Sequence, residues 1–188
     1  MKFGAVCLIV VAISLVGCAR QPVTSVQAYR MQKMEHWYGQ THWQIDGRLG
    51  VVTERDSFSG SINWRHEPGR DLINMAGPLG QGRISLDVTD GRVVVNDGEQ
   101  VRVYRDSVDQ LLLRQWGVDV PVQALRFWLL GLAQPRVDYQ ESELGFRQHG
   151  WRVVFRQLQE VDGGWLPRKI SMEKNNNKLK LIVDRWEI

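Results

Sequence analysis

Apolar and polar residues alternate along most of the chain after residue 42, with the period of two that is typical of half-buried β-strands. Phe58, Ile62 and Trp64 alternate with serine, asparagine and arginine in one segment. Ile84 and Leu86 alternate with polar residues in another. Turn dipeptides such as Asp-Gly separate several segments, as they do in β-hairpins. The pattern predicts an antiparallel meander of about eleven strands with one apolar face.

Three segments break this alternation and have helical spacing instead. In "SVDQLLLRQW", Ser107 and Gln110 lie three residues apart before an apolar run, which is the pattern of a capping box. In "PVQALRFWLLG", Pro121 suits a first helical position and Gly131 suits a C-cap. Between residues 25 and 40, apolar residues recur at near-helical spacing. We therefore expect about three helices.

A long antiparallel sheet with one apolar face must curl or be covered by other elements. The sequence accordingly predicts a mainly antiparallel β fold with some α-helix. Its single sheet would be curled and open, like part of a β-barrel, and covered by the helices. Such a fold can enclose a hydrophobic cavity or a solid core, and the pattern alone leaves both open. The cavity interpretation assigns the wall to apolar residues of the sheet and the helices: Phe58, Ile62, Trp64, Ile84, Leu86, Leu125, Trp128, Leu129 and Trp151.

The N-terminal segment indicates export. Its apolar run, residues 5–16, is too short to span a bilayer and matches the hydrophobic region of a signal peptide. The run ends in Leu-Val-Gly-Cys18, which resembles the bacterial lipobox, whose cysteine is lipidated. An ordinary secretory peptide with a chance cysteine is the alternative. The division that we expect is a removed signal peptide at 1–17, a lipidated tether at 18–24 and one folded domain at 25–188.

The turn sequence "GPLGQG" places Leu79 between Pro78 and Gly80, where turn tips are usually polar. It is not a phosphate-binding loop, because it lacks the G-x-G-x-x-G spacing and leads into a predicted strand. Isolated exposed leucines are also common without any function. The pattern predicts an exposed leucine at the tip and leaves its role open.

No catalytic or cofactor motif is recognisable in the chain. The four histidines match no zinc-binding spacing, and there is no G-x-S-x-G motif. The net charge is only +3 and no long basic run is present, which does not indicate a nucleic-acid partner. We expect a protein that is not an enzyme and that uses no metal and no cofactor.

These features together resemble the LolB family of outer-membrane lipoprotein receptors. The resemblance covers essentially the whole predicted mature chain, in order. The matching residues are the lipobox ending at Cys18, Gly47-Arg48, Asn63-Trp64, "GPLG" at 77–80, Pro121 with "LRFWLLG" at 125–131, and Asp184-Arg185-Trp186. Members of this family have an open curled sheet with helices over a hydrophobic cavity, as in the related carrier LolA.

The resemblance implies a function and a location. The chain would accept lipoproteins from the carrier LolA, hold their acyl chains in the cavity and insert them into the outer membrane. It would be a monomer, lipid-anchored on the periplasmic face of that membrane. Leu79 matches the leucine that projects from this turn in the family and is needed for delivery, with Pro78 and Gly80 supporting it. An envelope lipoprotein that binds another apolar lipid, or that is a scaffold in an envelope complex, is the alternative.

Overall fold

The computed structural model of the chain describes residues 23–26 and 29–188. The predicted signal peptide and Cys18 lie outside the described residues. Within the described part, the fold is one sheet of 12 strands with two α-helices. The strands are β1 (Val23–Ser25), β2 (Trp43–Val52), β3 (Ser57–Glu67), β4 (Arg70–Ala76), β5 (Ile84–Thr89), β6 (Arg92–Asn96), β7 (Val101–Tyr104), β8 (Gln140–Ser142), β9 (Gly145–Gln148), β10 (Trp151–Val161), β11 (Gly164–Lys174) and β12 (Asn177–Glu187). The helices are α1 (Val108–Trp116) and α2 (Val122–Leu129).

The strands form an antiparallel meander that is interrupted once by the two helices. Their spatial order is β7-β6-β5-β4-β3-β2-β12-β11-β10-β9-β8, and β1 adds to β10. The sheet is open, with β7 and β8 at its two ends. The prediction of a mainly antiparallel, unclosed sheet is confirmed, with 12 strands in place of about eleven.

The inner face of the sheet carries the core, as the alternating pattern predicts. Ile45 and Trp64 lie directly opposite each other on β2 and β3, and both are buried. Val88 and Val93 form a second such pair on β5 and β6. Cross-strand apolar pairs of this kind stabilise one face and fix the strand register.

The outer face of β2 and β12 carries a ladder of ion pairs. Arg48 donates two hydrogen bonds to the carboxylate of Asp184, and Arg185 pairs with Asp46. Between these pairs, Gly47 lies so close to β12 that an added Cβ would be 2.2 Å from a backbone oxygen. The Gly-Arg and Asp-Arg residues of the family resemblance thus meet on adjacent strands.

Two of the three predicted helices are present. Ser107 caps α1 by accepting a hydrogen bond from the N–H of Gln110 at 3.2 Å, and Gly117 ends it in a left-handed conformation. The α2 helix begins one residue later than predicted, because Pro121 is its N-cap residue.

The predicted helix at 25–40 is wrong. Ser25 pairs with β10 instead, and two short 3-10 turns follow at Met31–Lys33 and Glu35–Gly39. The buried residues Met31, Met34 and Trp37 recur every three positions, which is the period of a 3-10 helix. The predicted tether includes Val23 and Thr24, but the structure places both in β1.

Among the residues that the structure describes, neither α-helix has the length and apolar character needed to cross a membrane.

Candidate functional site

A pocket of about 500 Å³ lies between the inner face of β2–β5 and the helices α1 and α2. Its deep part, here called the floor, is formed by buried apolar side chains. The floor residues are Ile62, Trp64, Ile73, Leu86, Val122 and Leu125. Its polar border, here called the rim, is formed by the β2–β3 turn, the first residue of β3 and the end of α1. The rim residues are Thr53, Arg55, Asp56, Ser57 and Gln115.

The structure brings six of the nine predicted wall residues to this pocket. They are Phe58, Ile62, Trp64, Ile84, Leu86 and Leu125. The prediction missed further apolar contributions from β2, β4, α1 and the α1–α2 connection, such as Leu49, Met75 and Trp116. It also missed the whole rim, because polar side chains in a turn give no periodic signal.

The other three predicted wall residues do not line the pocket. Trp128 and Leu129 lie one turn farther along α2, where the helix packs against the part of the sheet around β11. Trp151 is fully buried beside Trp128, and their ring centroids are 6.4 Å apart. The indole N–H of Trp128 donates to Gln148 and that of Trp151 donates to the backbone oxygen of Asp119. These side chains therefore belong to the solid core.

A buried polar cluster holds α2 against the sheet next to the floor. Asp71 on β4 is fully buried, and Arg126 on α2 forms an ion pair with its carboxylate. The indole N–H of Trp64 donates to the same carboxylate at 2.8 Å, and Nδ1 of His66 lies 2.8 Å from it. Trp64 is a floor residue, and so is Leu125, the neighbour of Arg126 in the sequence. The cluster therefore positions the parts of the floor that β3 and α2 contribute.

The connection between α1 and α2 is also held by hydrogen bonds. The carboxylate of Asp109 on α1 accepts a hydrogen bond from the first N–H of α2, that of Val122, at 2.9 Å. Burial raises the pKa of the Asp109 carboxyl above its ordinary value, although this hydrogen bond opposes the shift. In the connection itself, Asp119 accepts a hydrogen bond from Nζ of Lys174 at 2.7 Å. The two helices therefore cover the pocket as one tied unit.

The turn between β4 and β5 presents Leu79 to solvent. The side chain is 98% exposed, the highest value among the large apolar residues of the described chain. The backbone is held by a hydrogen bond from the N–H of Gly77 to the oxygen of Gln81 at 2.8 Å and by one from Gly80 back to Gly77. Leu79 has φ 58° and ψ 19°, the left-handed region that leucine normally avoids. The turn thus holds an unshielded leucine in a strained conformation.

The same turn is joined to the pocket by both of its strands. Met75 near the end of β4 and Ile84 at the start of β5 lie directly opposite each other, and both line the pocket. The exposed leucine therefore projects from the hairpin whose strands form one wall of the apolar space.

Within the described part of the chain, the acidic, histidine and cysteine side chains form no group of three or more that could hold a metal ion.

Comparison with known proteins identifies the family. Residues 41–186 match the family described as outer membrane lipoprotein LolB. A relative named outer-membrane lipoprotein LolB from Pseudomonas paraeruginosa is 31% identical over 151 residues, which cover 77% of this chain and 74% of the relative. A second, of the same name, from Chromohalobacter salexigens is 30% identical over 196 residues, with 96% and 88% coverage.

Among solved structures, a LolA superfamily protein from Nitrosomonas europaea matches with a TM-score of 0.46 and 11% identity. That match covers 88% of this chain and 94% of the other. The family match spans most of this chain and includes the pocket residues and the Leu79 turn. The chain belongs to the LolB family.

Proposed function

We propose that this protein is an outer-membrane lipoprotein receptor, which accepts lipoproteins from the periplasmic carrier LolA and inserts them into the outer membrane. One observation carries the proposal. A fully exposed leucine, Leu79, projects from a hairpin whose two strands also line an apolar pocket. An acyl-chain site and a membrane-contacting tip are the two parts that such a receptor needs.

The proposed anchor is the lipidated Cys18, which follows a removed signal peptide at 1–17. Two or more acyl chains on one residue hold a protein at a membrane far more firmly than one chain does. The receptor would therefore stay on the periplasmic face of the outer membrane as a lipid-anchored monomer, with no cofactor and no enzymatic step. Ala19, next to the cysteine, differs from the Asp that retains lipoproteins in the inner membrane of enteric bacteria.

Acyl chains would occupy the pocket between the sheet and the helices. Its floor offers apolar side chains, and each CH₂ group that leaves water contributes about 0.8 kcal/mol. Cargo would move from the carrier to the receptor, and then to the bilayer, because each successive site binds the acyl chains more tightly. Differences of a few kcal/mol at each step suffice for such a transfer.

The Leu79 turn would act in the last step. Burial of one leucine side chain in the bilayer interface contributes about 1.5–3 kcal/mol, which is too little to anchor the domain. It is enough to favour orientations in which this hairpin touches the membrane. Because the hairpin strands also line the pocket, the bound acyl chains would then be released near the lipid.

The acceptance step can be tested by filling the pocket. Met75→Trp adds a larger side chain to the wall formed by β4. Leu72→Trp is the matched control, because Leu72 lies on the opposite face of the same strand. The assay is transfer of labelled lipoprotein from LolA to the full-length lipidated receptor. We expect Met75→Trp to lower acceptance strongly and Leu72→Trp to leave it near that of the wild type. Equal acceptance by both folded variants would contradict the proposed site.

A further inference from the structure

The volume of the pocket fits one lipid chain. A dry apolar cavity of ~150 Å³ accommodates benzene, so each carbon atom needs about 25 Å³. The pocket of about 500 Å³ therefore has room for about 20 carbon atoms, which is one ordinary acyl chain. The volume of the pocket therefore matches a lipid with a single chain.

Polarity changes along the pocket from the floor to the rim. The floor residues are all apolar and buried, whereas four of the five rim residues are exposed and all five are polar. A ligand that matches this gradient has a long apolar chain and one polar head. The head would lie at the rim, between the β2–β3 turn and the end of α1.

Arg55 is the cationic side chain of the rim. The turn that carries it is fixed, because the hydroxyl of Thr53 accepts hydrogen bonds from the N–H groups of Arg55 and Asp56 at 3.2 and 3.0 Å. Its Cδ lies 3.6 Å from the place of a Cβ at Gly117, which locates the side chain beside the end of α1. Within residues 23–26 and 29–188, Arg55 forms no ion pair.

The neighbouring carboxylate at the rim does not neutralise this guanidinium by direct contact. Asp56 accepts a hydrogen bond from the N–H of Ser57 at 2.7 Å and forms no ion pair with Arg55 in the described chain. A guanidinium group presents a planar pair of donors that matches the two oxygens of a carboxylate. The free cation at the rim therefore favours an anionic head of that shape.

We propose that the pocket also binds a free long-chain fatty acid, with its chain on the floor and its carboxylate on Arg55. The inference rests on the same pocket that is proposed above for lipoprotein acyl chains. It adds a second ligand class and a consequence. A free fatty acid would occupy the space that cargo needs, so it would lower the acceptance of lipoprotein from the carrier.

The experiment uses the full-length lipidated protein in lipid nanodiscs and two probes, a photoactivatable palmitic acid and its uncharged methyl ester. After illumination, mass spectrometry measures labelling of the peptides that carry the floor residues. We expect the acid to label them more strongly than the ester does. Arg55→Gln should lower labelling by the acid about tenfold, to the level of the ester, and leave labelling by the ester unchanged. Arg83→Gln is the control, because Arg83 is exposed and does not line the pocket.

Equal labelling by acid and ester in the wild type would overturn the inference, and so would equal effects of the two arginine substitutions. Lipoprotein transfer by an untreated portion of the same preparation, without added fatty acid, separates this inference from the proposed function. Intact transfer without labelling by the acid contradicts only the fatty-acid site. Labelling by the acid without any acceptance of lipoprotein contradicts the receptor function instead.

Discussion

The ion pair between Asp71 and Arg126 should contribute strongly to stability, because it is the polar contact that ties α2 to the sheet beside the pocket. Asp71→Asn removes the negative charge and leaves a similar shape. Loss of one partner from a buried pair typically costs 3–5 kcal/mol. The Arg126 side chain is 22% exposed and can regain some water. We therefore expect the lower end of that range, about 3 kcal/mol.

Urea unfolding of the full-length protein, monitored by tryptophan fluorescence, measures this loss of unfolding free energy. For a domain of this size, a loss of about 3 kcal/mol corresponds to a fall of about 6–12 °C in Tm. Asp87→Asn is the control, because Asp87 pairs with Arg70 on the exposed outer face. It should change the free energy of unfolding by less than about 1 kcal/mol.

The double variant Asp71→Asn/Arg126→Gln tests the reason for the loss. Removing the uncompensated cation should recover at least about 1 kcal/mol relative to Asp71→Asn alone. If Asp71→Asn lowers the free energy of unfolding no more than Asp87→Asn does, the buried ion pair does not hold α2 against the sheet.

Three further predictions concern the stability of the sheet and of the Leu79 turn. Leu79→Gly should raise the free energy of unfolding by about 1 kcal/mol in urea unfolding, because it relieves a left-handed leucine whose side chain buries nothing; a loss would contradict this. Gly47→Ala should lower it by about 2 kcal/mol or more, because the added methyl would overlap a β12 backbone oxygen. Gly50→Ala should cost far less, because its added Cβ would lie 4.0 Å from the nearest backbone oxygen, that of Lys180. Burial alone would raise the pKa of Asp46, but the hydrogen bond from Arg185 prevails and holds that pKa below its ordinary value. The folded state therefore binds fewer protons than the unfolded state, and stability should fall as the pH drops below about 4. Asp46→Asn should weaken this acid dependence, and an unchanged pH profile would refute the cause.

Much of the fold follows from local patterns in the sequence. The alternation around Phe58, Ile62 and Trp64 predicts a strand with one inner face, and β3 has that face. Ser107 predicts the start of α1, because capping depends only on a few neighbouring residues. The failure at 25–40 has a local cause as well, since spacings of three and of 3.6 are hard to separate over so few turns.

The site depends on contacts between distant parts of the chain, which no local pattern contains. Arg126 and Asp71 meet across 55 residues of sequence, and neither carries a motif. Trp128 and Leu125 are both apolar residues of α2, so the sequence does not distinguish them. In the structure, Trp128 packs in the core and Leu125 lines the pocket. Leu79 was predictable as an exposed tip because glycine and proline surround it. Its strained backbone was not predictable from them.

The role of Leu79 in delivery can be tested by measuring acceptance of cargo and delivery of cargo separately. Leu79→Glu places a charge at the tip, and Gln81→Glu places the same charge at another exposed position of the same turn. Labelled lipoprotein is first transferred from LolA to the full-length receptor and then from the receptor to liposomes. We expect both variants to accept cargo as the wild type does, and only Leu79→Glu to fail to deliver it to the liposomes. Normal delivery by Leu79→Glu, or equal failure of Gln81→Glu, would contradict the assignment of Leu79 as the membrane-contacting residue.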